Sequence, residues 1–148
     1  VDIHTLGNWL GTSEDLANHL RPLFLKLISM AIDRGFYVAV VTFSGQTKLI
    51  ANVLRIAFPK YIDLICIRGN DGSWSYNGQS SENGKQRHMA SAAEELRSRF
   101  INAKITRATT LLIDDDTNNI KTALHEGGRA VWFDPKNPNI WIDNLLKL

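Results

Sequence analysis

An α/β fold, a three-layer sandwich with a mainly parallel sheet between layers of helices, is what this sequence predicts, and three observations predict it. Short apolar runs bounded by turn residues alternate with longer stretches in which apolar residues recur at helical spacing. The helical stretches fall between the strand-like runs, as crossovers joining parallel strands require. No internal repeat, linker or low-complexity tract breaks the 148 residues, a length that fits one domain burying roughly two thirds of its unfolded surface.

Residues 1–12, VDIHTLGNWLGT, have no clear period and predict an irregular segment, with Trp9 and Leu10 covering the core. Ser13 is a good helix cap with Glu14 and Asp15 in the first turn, and Leu16, Leu20, Leu23, Phe24, Leu27, Ile28 and Ala31 then form a helical stripe. Pro22 should kink or divide that helix, and Gly35 should end it. Phe36 to Val41 reads as a strand buried on both faces, as parallel strands between helices are. It ends in Thr42, Phe43, Ser44 and Gly45. Leu49, Ile50, Val53, Leu54 and Ala57 mark the next helix, closed by Pro59, and Tyr61 to Ile67 the next strand. The long connection 69–84, GNDGSWSYNGQSSENG, carries two aromatics, Trp74 and Tyr76. A connection this long is functional or disordered in most domains; the aromatics would touch substrate or stabilise a small hairpin. A helix from about Gln86 to Phe100 follows, with Met89, Ala93, Leu96 and Phe100 inward and His88 on its polar face. Leu111 to Ile113 is a short buried strand; Ile120, Ala123 and Leu124 at helical spacing mark a helix beginning near Thr117 and stopped by Gly127; Ala130 to Phe133 is a last strand, and Ile140 to Leu148 a terminal helix.

Composition excludes more than it selects. Seventeen basic and fifteen acidic residues leave a net charge of +2, and no basic run of five occurs, so charge alone supports neither a nucleic-acid nor a membrane partner. No apolar stretch nears the ~20 residues of a membrane span, and the expectation is a chain without membrane span or signal peptide. Cys66 is the lone cysteine, inside an apolar run, and reads as a small core residue compatible with a reducing, cytoplasmic setting. Val1 rather than Met opens the chain, as in a fragment, a processed form or an excised domain.

The stretch that asks for chemistry is TTLLIDDDTNNI, residues 109–120. An apolar strand runs into Asp114, Asp115 and Asp116, and like charges this close repel by about 1 to 4 kcal/mol per pair at ~4 Å. A cation or protons must offset them. Asp116 is read as the cap of the following helix. Asp114 and Asp115 are read as metal ligands at the carboxyl end of a strand, where open α/β sheets bind their ligands. With them stand a hydroxyl ending an earlier strand, Thr42 with Ser44 close by, and a lysine opening a helix, Lys85. Hydroxyls and backbone N–H groups hold phosphoryl oxygens, a lysine offsets charge, and paired acids hold Mg²⁺ with water and substrate oxygen.

In these residues the chain resembles the haloacid dehalogenase (HAD) superfamily. VAVVTFS is similar to its second motif, carried by Thr42; GKQRHM to its third, carried by Lys85; and LLIDDDTNNI, followed by ALHEGG, to its fourth, carried by Asp114 and Asp115. The resemblance covers about residues 24–134. It implies a Rossmann-like sandwich in one domain over 1–148 and a Mg-dependent phosphatase-like hydrolase. Thr42, Phe43, Ser44 and Lys85 would bind phosphate, Thr42 and Lys85 would serve catalysis, and Asp114 and Asp115 would hold Mg²⁺. In the family an aspartate attacks phosphorus, Mg²⁺ and lysine offset charge, and water hydrolyses the intermediate.

The chain departs from the family in its first motif, DxDxT, whose first Asp is the nucleophile. Only Asp2, Ile3, His4 and Thr5 approach it, with His4 in place of the second Asp. The nucleophile and the first, central strand are therefore expected upstream of Val1, or the chain is a degenerate, catalytically inactive member that binds metal or protein. Without that strand a gap of about 10 Å, two strand spacings, is expected between the strands ending in Thr42 and Asp114. No room exists for a cap domain, which suits a bulky phosphorylated substrate such as a protein or nucleic-acid end. A receiver-type phosphoacceptor is disfavoured because Lys85 precedes the acids. A P-loop is disfavoured because SGQTK lacks the GxxxxGK[ST] spacing.

Overall fold

The computed structural model describes residues 9–140 and Asp143. Among them are five α-helices and four short strands, paired in parallel in two two-stranded sheets. The chain divides into two compact units, Val1–Ser75 and Tyr76–Leu148. No helix among the described residues is long and apolar enough to cross a membrane. Asp2 to Thr5 and nearly all of the predicted terminal helix, 140–148, lie outside the described residues.

The first unit holds α1 (Ser13–Ala17), α2 (Pro22–Asp33), β1 (Val38–Val41), α3 (Thr47–Ala57) and β2 (Ile65–Arg68). The stretch from Ser13 to Asp33 is divided rather than kinked, because Pro22 takes the first position of α2, where its missing N–H costs nothing. The cap of α1 is Thr12, not Ser13: the Thr12 hydroxyl accepts from the Asp15 N–H at 3.1 Å. Gly35 turns the chain at φ +86°, where a Cβ would be strained. Phe36 and Tyr37 then remain exposed, so β1 begins at Val38, two residues later than the apolar run suggests. A 3-10 turn over Ile62–Leu64 likewise takes up the start of the run predicted as the second strand.

β1 and β2 pair in register Val38 with Ile65 through Val41 with Arg68. The core of this unit is Leu54, Phe58 and Ile65, packed with Leu25, Ile28 and Ile32 of α2, Ile50 of α3, and Val38, Val40 and Ile67 of the sheet. Alternate strand residues point to opposite faces, and Val38 and Val40 are the ones that meet the helices. Ala39 between them is exposed, so β1 is not buried on both faces as predicted. Cys66 is buried, as its apolar setting predicted.

The second unit holds α4 (Gln86–Arg99), β3 (Leu111–Asp114), α5 (Thr117–His125) and β4 (Arg129–Trp132), with β3 and β4 parallel and Asp114 opposite Trp132. No strand forms within 69–84, so the hairpin alternative for Trp74 and Tyr76 is set aside. Trp74 instead donates its indole N–H to the Gly69 carbonyl at 2.7 Å. The buried face of α4 is Gln86, His88, Ser91, Ala92 and Leu96, while Met89, Ala93 and Phe100 are half-buried. His88 is thus inside rather than on a polar face. Burial first, and the Lys85 and Arg87 charges second, push its imidazole below the ordinary 6.5.

Leu54→Ala is expected to cost about 2–5 kcal/mol, read as a lowered midpoint in a urea titration. For His88 the unfolded chain takes up a proton at 6.5 that the folded chain refuses, so stability falls as pH drops below that value. His88→Gln is expected to flatten that loss; equal slopes for both proteins between about pH 7 and about pH 5.5 would show that His88 is not its source.

Candidate functional site

In the second unit the structure brings Lys85 and Asp114 together: Nζ lies 2.7 Å from Oδ2, with the Asp114 side chain 2% exposed. Gly84, at φ +56°, turns the chain just before Lys85, and a Cβ there would lie 3.3 Å from the Asn119 amide oxygen. At this φ, and with α5 this near, glycine is the residue that fits with least strain. Asp114 closes β3, and its carbonyl accepts from Phe133 N–H at 2.8 Å as the ladder ends.

The Asp114 carboxylate is gripped on both oxygens. Oδ2 also accepts from the Asn119 side-chain amide at 3.1 Å, and Oδ1 accepts from the Asp116 backbone N–H at 2.8 Å. Burial alone would push this carboxyl up, but Lys85, the Asp116 N–H and Asn119 outweigh it and hold it below the ordinary 3.8. Asp116 caps α5, its side chain accepting from Asn118 N–H at 2.8 Å, as the sequence predicted. Asp115 is exposed, and its carbonyl accepts from the Trp132 indole at 2.9 Å, which pins the turn between β3 and α5. Asp114 is thus buried at the strand end, and Asp115, the first residue past β3, is at the surface.

Sequence reasoning missed Asn119 as a partner of Asp114. The signal lies in its position: with Asp116 as cap, Asn119 is the third helical residue, whose side chain characteristically reaches back over the helix start.

These acids fit a hard cation in one respect. A carboxylate oxygen accepts about two hydrogen bonds, so Asp114 Oδ1, holding one N–H, keeps an acceptor position, and the exposed Asp115 is next to it in the chain. Mg²⁺ asks for one or two carboxylates, with water and substrate oxygens completing its shell. Among the described residues no group of three or more His, Cys, Asp or Glu is gathered to hold an ion. Such a site would therefore rest on this acid pair.

In the first unit Thr42, Phe43 and Ser44 follow β1. The Thr42 N–H extends the ladder to the Arg68 carbonyl at 2.9 Å. Its hydroxyl accepts from Ser44 N–H at 3.1 Å, and the Ser44 hydroxyl accepts from Gln46 N–H at 3.1 Å. Each hydroxyl thus retains its own proton as a donor. Phe43 is 47% exposed between them, and its contribution to an oxyanion would be its backbone. Gln46, at the cap position of α3, makes no side-chain cap; its amide instead grips the Trp9 backbone, accepting from N–H at 2.8 Å and donating to the carbonyl at 3.1 Å.

A separate hollow of about 160 Å³ in the second unit runs along α4, lined by Gln86, Met89, Ala93, Arg97, Thr106 and Ala123 among others. None of the sequence-predicted site residues lines it.

No family model matches this chain, and neither a curated protein nor a solved structure shows a significant match.

Lys85→Met leaves a buried carboxylate without its counter-charge and is expected to cost about 3–5 kcal/mol in chemical denaturation. Because the folded Asp114 carboxyl lies below 3.8, its contribution is present above that pH and is lost as pH falls through the depressed folded value. Asp114→Asn is expected to remove this acid-sensitive stretch; an unchanged acid transition would place the sensitivity elsewhere.

Proposed function

We propose that this chain carries the phosphate-gripping and charge-balancing residues of a Mg-dependent, phosphatase-like hydrolase of the HAD type, in a Rossmann-like three-layer sandwich without a cap domain. The aspartyl nucleophile would be supplied from upstream of Val1. The observation that supports this best is the 2.7 Å contact of Lys85 with Asp114, residues singled out from separate sequence motifs. Thr42 and Ser44 would donate hydroxyl protons to phosphoryl oxygens, with the Phe43 and Ser44 backbone beside them. Lys85 would hold Asp114 ionised and offset negative charge on the phosphoryl group. Asp114 and Asp115 would hold Mg²⁺, which when bound supplies a Lewis acid for phosphoryl oxygens. A phosphorylated macromolecule suits an uncapped site. That substrate rests on analogy with the family.

One observation favours a second reading, a catalytically inactive HAD-like module that binds metal or protein. Asp114 is already balanced by Lys85, Asn119 and the Asp116 N–H, a network complete without a ligand. No DxDxT run occurs anywhere in the 148 residues.

Turnover of p-nitrophenyl phosphate with Mg²⁺ separates the two, measured on this chain and on a version carrying any residues encoded upstream. The hydrolase reading expects turnover in the extended form, reduced at least about a hundredfold by Asp114→Asn or Lys85→Ala. No turnover in either form selects the binding module, and full activity of Asp114→Asn removes that residue from the site.

A further inference from the structure

The loop leaving β2 is fastened to the loop leaving β1, and its fastening residue, Asp71, belongs to none of the motifs discussed so far. Asn70 N–H donates to the Ser44 carbonyl at 3.0 Å. A Cβ on Gly69 would lie 2.5 Å from that same carbonyl oxygen and 2.5 Å from Thr47 Cγ2, and one on Gly45 would lie 3.0 Å from the Asn70 carbonyl. The two exits therefore touch backbone to backbone, and glycine is what the contact permits. Across this seam the Asp71 carboxylate takes donors from both sides. Oδ1 accepts from the Ser73 N–H at 2.9 Å and its hydroxyl at 2.6 Å, and Oδ2 accepts from the Thr47 hydroxyl. Thr47 is the first residue of α3, three positions after Ser44.

We propose that Asp71 is a positioning residue: by holding Thr47 and Ser73 at once it locks the two strand exits together and fixes the Thr42 and Ser44 hydroxyls in place to receive an oxyanion. The proposal rests on the phosphate reading of Thr42 and Ser44. A carboxylate repels a phosphoryl group, so Asp71 acts through Thr47 and the backbone, not by contact. Hydrogen bonds to an ionised acceptor are about twice as strong as neutral ones, which suits a fastening that is exposed to water. The Ser73 and Thr47 hydroxyls and the Ser73 N–H hold the Asp71 carboxyl down to about 2, so the lock stays charged across the neutral range.

Calorimetric titration with inorganic phosphate, on the full chain, tests this with Thr42→Val, Asp71→Ala, Asp71→Asn, Thr47→Val, Thr47→Ser and the double variant Asp71→Ala/Thr47→Val. Asp71→Ala and Thr47→Val are each expected to weaken binding about tenfold, the worth of one hydrogen bond. The double variant should be no weaker than either single, because both break the same contact. Thr47→Ser, which keeps the hydroxyl, should retain most of the affinity, and Asp71→Asn, which keeps one acceptor oxygen of the two and no charge, should fall between the wild type and Asp71→Ala. Additive losses in the double variant, or wild-type affinity in Thr47→Val, overturn the proposal. If the wild type binds no phosphate and Thr42→Val changes nothing, the phosphate reading fails and the positioning role goes with it. Amide hydrogen exchange then reports on the lock alone: faster exchange at Asn70 and Ser73 in Asp71→Ala and Thr47→Val is expected, and unchanged exchange shows that no lock exists.

Discussion

A carboxylate that is almost wholly buried must be compensated where it stands, and the second unit is arranged around doing so for Asp114. An isolated charge in the interior costs far more than a domain's margin of stability allows. Lys85 answers the charge, and three local choices put the answer within reach. Gly84 takes a conformation that brings the loop against α5, Lys85 sits at the point where α4 begins, and Asn119 sits one turn into α5 with its amide turned back. Asp116 serves twice, its N–H on Asp114 and its side chain on the helix start. Removing any of these leaves an acceptor short of a donor in a place water does not readily reach.

How much of this was legible in the sequence depends on the range of the interaction. Asp116 as a cap was readable because capping is local: an acid before Thr-Asn-Asn with apolar residues at helical spacing leaves little else for it to do. The division at Pro22 and the turns at Gly35 and Gly127 were readable for the same reason, each being set by one residue's own backbone. The strand starts were not. Phe36, Tyr37 and Ile62 to Leu64 are as apolar as the strands beside them, and an apolar run carries no mark of where pairing begins. His88 was misplaced because α4 buries a partly polar face, with Gln86 and Ser91 alongside the histidine, and periodicity of apolar residues cannot announce that. Asp114 was picked out for its charge, yet its partner Asn119 was overlooked because a neutral amide draws no notice until the carboxylate's donors are counted.

The sheet expected as one appears among the described residues as two parallel pairs, β1 with β2 and β3 with β4. Parallel neighbours cannot be joined by a tight turn, so each pair is tied by a crossover helix, α3 in the first and α5 in the second. Two strands alone bury little, and in the first unit α2 and α3 supply the apolar layer that the pair lacks. Alternation of helix and strand was sufficient to indicate the elements themselves, since it depends only on period. Whether strands join one ladder or two depends on contacts between distant segments, which period does not encode.

Both groups of candidate residues occupy the same place in their units, the turn from the first strand into the crossover helix, yet one turn is acidic and the other uncharged. After β3 the turn is filled by acids, and the Asp116 side chain satisfies the Asn118 N–H of α5 from within. After β1 there is no acid in the first turn of α3, the cap residue Gln46 is spent on Trp9, and what remains at the rim is hydroxyls and the positive end of a helix. A helix start with no acid in its first turn keeps its positive end, whereas the buried acid after β3 is met by Lys85, Asn119 and the Asp116 N–H. Asp71, which reaches the first residue of α3, is bound by hydroxyls and a backbone N–H. Its charge is consumed in holding the loop.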